Sequence, residues 1–350
     1  MKKVLKIILI VLAVLIVAAG GFLLYLTITE YRPAPVEPLE ITGESGGEPL
    51  DPSEVTLVTW NLGFGALSRQ ADFVLDGGKG VWTAEKTDVE ANLEGIRSTL
   101  DSIPADIRLF QETDYDSDRS FRQDMGEWTK LSRSAMALNY CCDYVPFPWP
   151  PQGRVRSGLM ITTDHAMENA RRIDLPCPFK WPVRIANLKR CLLVTEFPLK
   201  DTEKKLVLID LHLEAYDNTG GREAQTTEAF RFMQEEYAKG NYVIVGGDFN
   251  QSFPNDAAFP VPTDPKLWKP GTLADFPLPE GWRYANDRNK ATCRSLNQPY
   301  DPTDAETYHF IIDGFLLSPN VELKTVETVE AGFAYSDHNP VRMTVCLKGE

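Results

Sequence analysis

Two oxygen-bearing side chains, Asp248 and Asn250, follow directly on the run Val243-Ile244-Val245-Gly246-Gly247. A β-branched apolar run of that kind reads as a strand buried on both faces. The glycines lack side chains and permit a sharp turn or a close approach to a ligand. On an extended backbone, positions i and i+2 point to the same side, so a carboxylate and a carboxamide would meet at the strand's mouth. Hard oxygen donors placed there suit a divalent cation or a phosphate. The same residue types also make ordinary Asx turns after core strands, and the stretch alone does not choose.

Similar placements recur along the chain. Val55–Asn61 reads as a strand ending in Asn61, and residues 105–112 as another ending in Gln111-Glu112. Between them, the spacing of Val89, Leu93, Ile96 and Leu100 predicts a helix. Residues 206–213 carry His212 in an apolar run, a setting where a histidine is often only a hydrogen-bonded core residue. A helix over 223–237 leads into the strand that delivers Asp248. Residues 310–317 carry Asp313, whose burial costs on the order of several kcal/mol unless it is paired. His338, following Asp337, is its natural partner.

The elements that must position these residues lie in one domain, 55–350. Lys2, Lys3 and Lys6 precede an uncharged stretch, residues 7–28. As a helix of about 22 residues it would be roughly 33 Å long, enough to cross a bilayer. Residues 1–29 therefore read as an uncleaved signal-anchor, with the lysines in the cytoplasm and the domain outside. Residues 30–54 hold five prolines and seven acidic residues without helical or strand period, and read as an extended, self-repelling tether. Cys177 and Cys191 could form a local disulfide, although buried free thiols fit most of the six cysteines better.

The net charge of −14 argues against a broad nucleic-acid-binding face. Residues 151–200 reverse that balance, with nine Lys and Arg against four Asp and Glu. Arg154, Arg156, Arg171, Arg172, Arg184, Lys189 and Arg190 could frame an anionic substrate or simply be solvated. The loop from 63 to 80 is glycine-rich and either faces substrate or is plain surface.

Taken in order, Asn61, Gln111-Glu112, His212, Gly247-Asp248-Phe249-Asn250, Ile312-Asp313 and Ser336-Asp337-His338 resemble the endonuclease/exonuclease/phosphatase superfamily, which includes deoxyribonuclease I-like nucleases and neutral sphingomyelinases. The resemblance runs from residue 55 to the C-terminus. It implies an α/β (α+β) fold, a four-layer sandwich of two packed mixed β-sheets flanked by helices, here behind one transmembrane helix. It also implies a metal-dependent phosphoric ester hydrolase using Mg²⁺, with Mn²⁺ as the other candidate. Glu112 would be the principal ligand, with Asn61 and Asp337 beside it. Asp248 and Asn250 would orient the attacking water. His338, oriented by Asp313, would be the general base or stabilise the transition state, and His212 would donate to the phosphate. The expected partners are a phosphoester, with a lipid headgroup or small molecule favoured over DNA, and the membrane through residues 7–28. No protein partner is implied. A nuclease is the alternative enzyme, and a silent membrane-tethered binding module the alternative of another class.

Overall fold

The computed structural model describes residues 2–44, 46–216, 219–254, 259–304 and 306–348. Strands β1 (Val36–Pro38), β2 (Ile41–Gly43), β3 (Val55–Asn61), β4 (Ile107–Asp114), β5 (Arg133–Val145), β6 (Gly153–Thr163), β7 (Glu168–Asp174), β8 (Cys191–Pro198), β9 (Lys205–His212) and β10 (Tyr242–Asp248) are followed by Arg283–Ala285, Asp313–Leu317, Val321–Thr328 and Val341–Leu347. They form two seven-stranded sheets. One runs β1-β7-β8-β9-β10, then 313–317 and 283–285; the other runs 321–328, 341–347, then β3-β4-β6-β5-β2.

The sheets pack face to face over a core that includes Leu57, Leu109, Ile161, Leu193, Leu208, Ile244, Phe315 and Met343. Helix α4 (Gly221–Ala238) covers the outer face of the first sheet, burying Ala229 and Met233 against Val207 and Val243. Helix α2 (Lys86–Asp101), with the short α3 (Met125–Thr129) against it, covers the second, burying Val89, Leu93, Ile96 and Leu100 beside Val58, Trp60 and Phe110. The four-layer sandwich expected from the sequence is therefore present. Each fully buried aliphatic side chain contributes about 1.5–3 kcal/mol relative to exposure, so the alternation of strand and helix faces dictates the stacking.

Topology aims the site. β3 and β4 are parallel and joined by α2, and β9 and β10 are parallel and joined by α4. Each strand–helix–strand unit must bring both C-terminal strand ends to one edge. Antiparallel pairing of 313–317 with β10 sets Asp313 opposite Asp248, and His212 lies opposite Asp248 on the other flank. Gly247 stands at φ +133 with the Leu211 carbonyl where a Cβ would be, 2.0 Å away. The glycine thus serves close strand approach, not ligand approach.

Three expectations change. The 310–317 run is two strands, because Thr292 Oγ1 accepts from the amides of Ile312 and Asp313 and breaks the ladder between them. All six cysteines are free, including Cys177 and Cys191. The segment 30–54 is extended, but it does not hang free. β1 pairs with β7 and β2 with β5, so one segment closes an edge of each sheet, and Leu50 bridges to Leu199. The edges offered unpaired backbone groups that an extended chain satisfies, whatever its composition.

Helix α1 (Lys2–Ile28) is long and apolar enough to cross a membrane, a property shared with signal sequences. If residues 30–54 are integral to the sheets, a chain begun at Glu54 unfolds at a lower temperature than one begun at Glu30, by about 5 °C or more. Loss of Leu50 from the core and of Leu39 and Ile41 from its margin is the cause. Equal midpoints in thermal unfolding would return the segment to the status of a tether.

Candidate active site

At the shared edge lies a cleft of about 440 Å³ whose walls include Asn61, Glu112, His212, Asp248, Asn250, Asp337 and His338. Seven of the eight residues singled out from the sequence thus line one cavity. The eighth, Asp313, sits behind it, with Oδ2 2.8 Å from His338 Nδ1. Asp248 Oδ2 is the hub. It accepts from Asn61 Nδ2 at 3.0 Å and lies 3.4 Å from His212 Nε2 and 3.8 Å from His338 Nε2.

Glu112 is aimed by an irregularity. The β4–β6 register slips between Phe110 and Thr113, and Glu112 takes the left-handed φ of 53. A bulge re-aims a side chain out of the ladder, and a non-glycine residue held there stores about 1–3 kcal/mol of strain. Its Oε1 lies 3.5 Å from Asn61 Nδ2, while Oε2 is buried with no hydrogen-bond partner. Asn250 also departs from the extended geometry, with φ 51. It reaches the cleft through an Asx turn, its amide donating to Asp248 Oδ1 at 2.8 Å. The turn and the site, alternatives in the sequence, are the same residues.

Burial sets the electrostatics. It pushes the Asp248 carboxyl up to about 7, with the Asp313 charge adding to the rise. Burial likewise raises Glu112 and Asp337, each also facing another carboxylate. Burial acts downward on His338, but Asp313, Cys293 and Asp337 outweigh it and hold the imidazolium well above the ordinary range. His212 has no such support: burial, Arg190 and His338 hold it well below, and therefore neutral.

The basic stretch is put to other uses. Of its seven named residues only Arg190 lines the cleft, with Nε and Nη1 buried and without hydrogen-bond partners. Arg171 pairs with Glu196 and Glu236, Arg172 with Asp174, Arg156 with Asp143, Arg154 with Asp116 and Arg184 with Glu30. Lys189 Nζ donates to main-chain carbonyls. The local reversal of charge thus holds structure together. Sequence reasoning missed Arg119, which stacks 3.9 Å over the Phe64 ring while gripping Asp114 with two hydrogen bonds. It also missed Asp76, bound by the Tyr216 hydroxyl at 2.9 Å. Both contacts join segments far apart in sequence, which no local signal marks. The loop 63–80 does face the cleft, contributing Phe64, Leu67, Phe73 and Asp76.

The donor set fits a hard cation. Glu112 offers an orphaned carboxylate oxygen and Asp337 a second carboxylate facing it, while Asn61 beside them turns its Nδ2 toward Glu112 and Asp248 and its oxygen toward the Gly63 amide. A four-layer α/β sandwich carries this cluster at the mouth of its parallel strands. The sequence profile of the Endonuclease/Exonuclease/phosphatase family matches residues 58–338, and the chain belongs to this family. Solved structures agree in fold. An endonuclease/exonuclease/phosphatase from Beutenbergia cavernae is 16% identical with a TM-score of 0.55, over 85% of this chain and 72% of that one. A family member from Bacteroides vulgatus is 15% identical with a TM-score of 0.54, over 85% of this chain and 100% of that one. One from Bacteroides thetaiotaomicron is 16% identical at 0.51, over 86% and 100%. No curated protein sequence matches.

Asp76 gives a pH test that does not depend on catalysis. Burial pushes its carboxyl up to about 7, against the Tyr216 hydrogen bond and with help from Asp337 and Glu112. An exposed aspartate titrates near 3.9. The folded state therefore holds the proton more tightly, and the stability this confers is lost as pH rises from about 4 through 7. In chelator, the advantage of Asp76→Asn over the parent should grow by about 2 kcal/mol between pH 5 and pH 8. Urea unfolding at the two pH values measures it; parallel pH dependence in the two proteins would contradict the assignment.

Proposed function

We propose that the chain is a membrane-anchored, Mg²⁺-dependent phosphoesterase that hydrolyses a P–O bond with water. The observation that carries this reading is the orphaned Glu112 carboxylate facing Asp337 and His338 in one cleft, with Asp313 behind His338. Glu112, Asp337 and Asn61 would hold the cation. Bound there, it would withdraw charge from the phosphoryl group and lower the pKa of a coordinated water.

The chain's own residues supply the rest. Asp248, with a pKa near 7, accepts the proton of the attacking water that it and Asn250 orient. His338, kept protonated by Asp313, donates toward the phosphoryl oxygens, so the sequence's second alternative for it is favoured over a free base. Neutral His212 donates from the opposite flank, and Arg190, whose Nε lies 3.6 Å from Glu214 Oε2, presents its charge and a hydrogen-bond-free Nη1 to the same anion. Water's oxygen bonds phosphorus, the ester P–O bond breaks, and the departing oxygen takes a proton. An acidic exterior opposes the many phosphate contacts a nuclease uses, whereas a cleft this size accommodates one small phosphoester. Helix α1 anchors the enzyme, and Lys2, Lys3 and Lys6 on its near side orient the domain outside the cytoplasm.

Turnover with and without Mg²⁺ on phosphate monoesters, diesters, phospholipids and duplex DNA tests the class. Glu112→Gln is expected to abolish Mg²⁺ binding by calorimetry and to lower turnover by about 10²-fold or more, with an unchanged far-ultraviolet spectrum. Near-normal turnover would remove Glu112 from the site. Asp313→Ala and His338→Ala should each lower kcat by about 10²–10⁴ and combine far less than additively, because they act as a unit. Additive losses in the double variant would separate them.

A further inference from the structure

The end of α1 does not stand clear of the domain. Its Phe22 ring meets the Tyr144 ring edge-on at 5.4 Å, and the Tyr25 hydroxyl donates to Asp143 Oδ2 at 3.0 Å. Trp181 Nε1 donates to Thr27 Oγ1 at 3.3 Å, and Arg184 grips buried Glu30 with bonds of 2.8 and 3.1 Å. All these partners lie at the end of β5 or in the β7–β8 connection, 175–190.

The depth of that contact can be gauged. About 20 helical residues cross a hydrocarbon core of about 30 Å. Counted from Ile7, that length ends near Leu26. Phe22 then lies about 6 Å inside the outer boundary, and Tyr144 beside it lies at the same level. The turn that follows Tyr144 carries Phe147 and Trp149, 76% and 78% exposed, and the other loop carries Trp181 and Val183, 56% and 60% exposed. Large apolar side chains so exposed on neighbouring loops are not spent on the fold. Aromatic residues with a polar tip belong at the membrane–water boundary, and Tyr25, Tyr144 and Trp181 form such a belt, with exposed Lys180 beside it for anionic headgroups.

The same loops build the cleft. Phe147, Pro148, Phe179 and Leu188 line its wall, so an exposed residue of the mouth is also a residue of the apolar surface. We propose that this wall is embedded in the membrane interface and that the cleft opens onto the bilayer, so that the enzyme takes its phosphoester from the headgroup of a lipid in its own membrane. The proposal rests on the phosphoesterase reading above and adds the substrate class to it. The reaction adds one water: its oxygen bonds the headgroup phosphorus, the P–O bond to the departing alcohol breaks, and that oxygen leaves protonated. A soluble phosphoester needs none of the aromatic wall. A lipid does, because its headgroup must reach Glu112 and His338 while its chains stay in the bilayer.

The test uses the full chain reconstituted with Mg²⁺ in vesicles of phosphatidylcholine, phosphatidylethanolamine and phosphatidylglycerol. The variant is Trp149→Ser/Trp181→Ser, two exposed residues outside the cleft lining. Brominated phosphatidylcholine is expected to quench the parent's tryptophan fluorescence, and most of that quenching should vanish in the variant. Turnover of vesicle phospholipid is expected to fall at least tenfold in the variant, while a soluble diester, bis(p-nitrophenyl) phosphate, changes less than twofold. Equal quenching of parent and variant overturns the membrane-facing wall. Turnover of the soluble diester with none of the phospholipids overturns the lipid assignment and leaves the phosphoesterase reading standing. Turnover of neither overturns that reading and the lipid assignment with it, while the quenching still decides the wall.

Discussion

Glu112, Asp248, Asp313 and Asp337 are forced together at one edge of the sandwich, with His338, Arg119, Arg190 and Arg294 as the cations around them. Bringing carboxylates out of water and toward each other is unfavourable on both counts, and the pKa values of Glu112, Asp248 and Asp337 are raised accordingly. The rest of the architecture bears that load. Asp313 is relieved by His338, and Asp248 by amides of Asn61 and Asn250. Glu112 keeps one oxygen unrelieved. A cluster of this kind is stable only because a core that is apolar on three levels supports it, and it is useful because a cation would complete it.

Precision at the edge comes from backbone, not side-chain reach. Two parallel strand pairs end at the same level because their helices return the chain in the same sense. The antiparallel strand 313–317 adds Asp313 from the opposite direction, and a slipped register turns Glu112 out of its ladder. Trp60 Nε1 donates to the His338 carbonyl at 2.9 Å, and Ser336 Oγ to the Asn61 carbonyl at 2.7 Å. The first and last site segments of the chain are thus locked together across some 275 residues of sequence.

The acidic segment after α1 has a double consequence. By closing an edge of each sheet it removes two sites for unwanted strand pairing. It also shortens the link between helix and domain to a few residues, with Glu30 clamped by Arg184 and Lys189. A domain held that close to its helix has a fixed orientation relative to it, unlike one on a free 25-residue leash.

Much was legible from residue types alone. Apolar periodicity located β3, β10, α2 and α4 to within about three residues, because burial on one or both faces imposes a period that composition must obey. The candidate site residues were picked out by their order along the chain and the family resemblance that order carries, each position alone being equally an ordinary turn or core residue, and seven of the eight share the cleft. Tertiary structure decided what depends on partners distant in sequence. Arg154 through Lys189 were free cations on paper and are ion-paired or bound to carbonyls in the fold; of the stretch only Arg190 reaches the cleft, and it too faces a carboxylate, Glu214. Asp76 and Arg119 carried no local signal, since their positions depend on loops meeting across the cleft. Residues 30–54 have the composition of a tether, yet Val36–Pro38 and Ile41–Gly43 within them became strands because each sheet had an open edge whose hydrogen bonds do not depend on side chains. Local periodicity records which face is buried; only the assembled sheets determine which neighbour buries it.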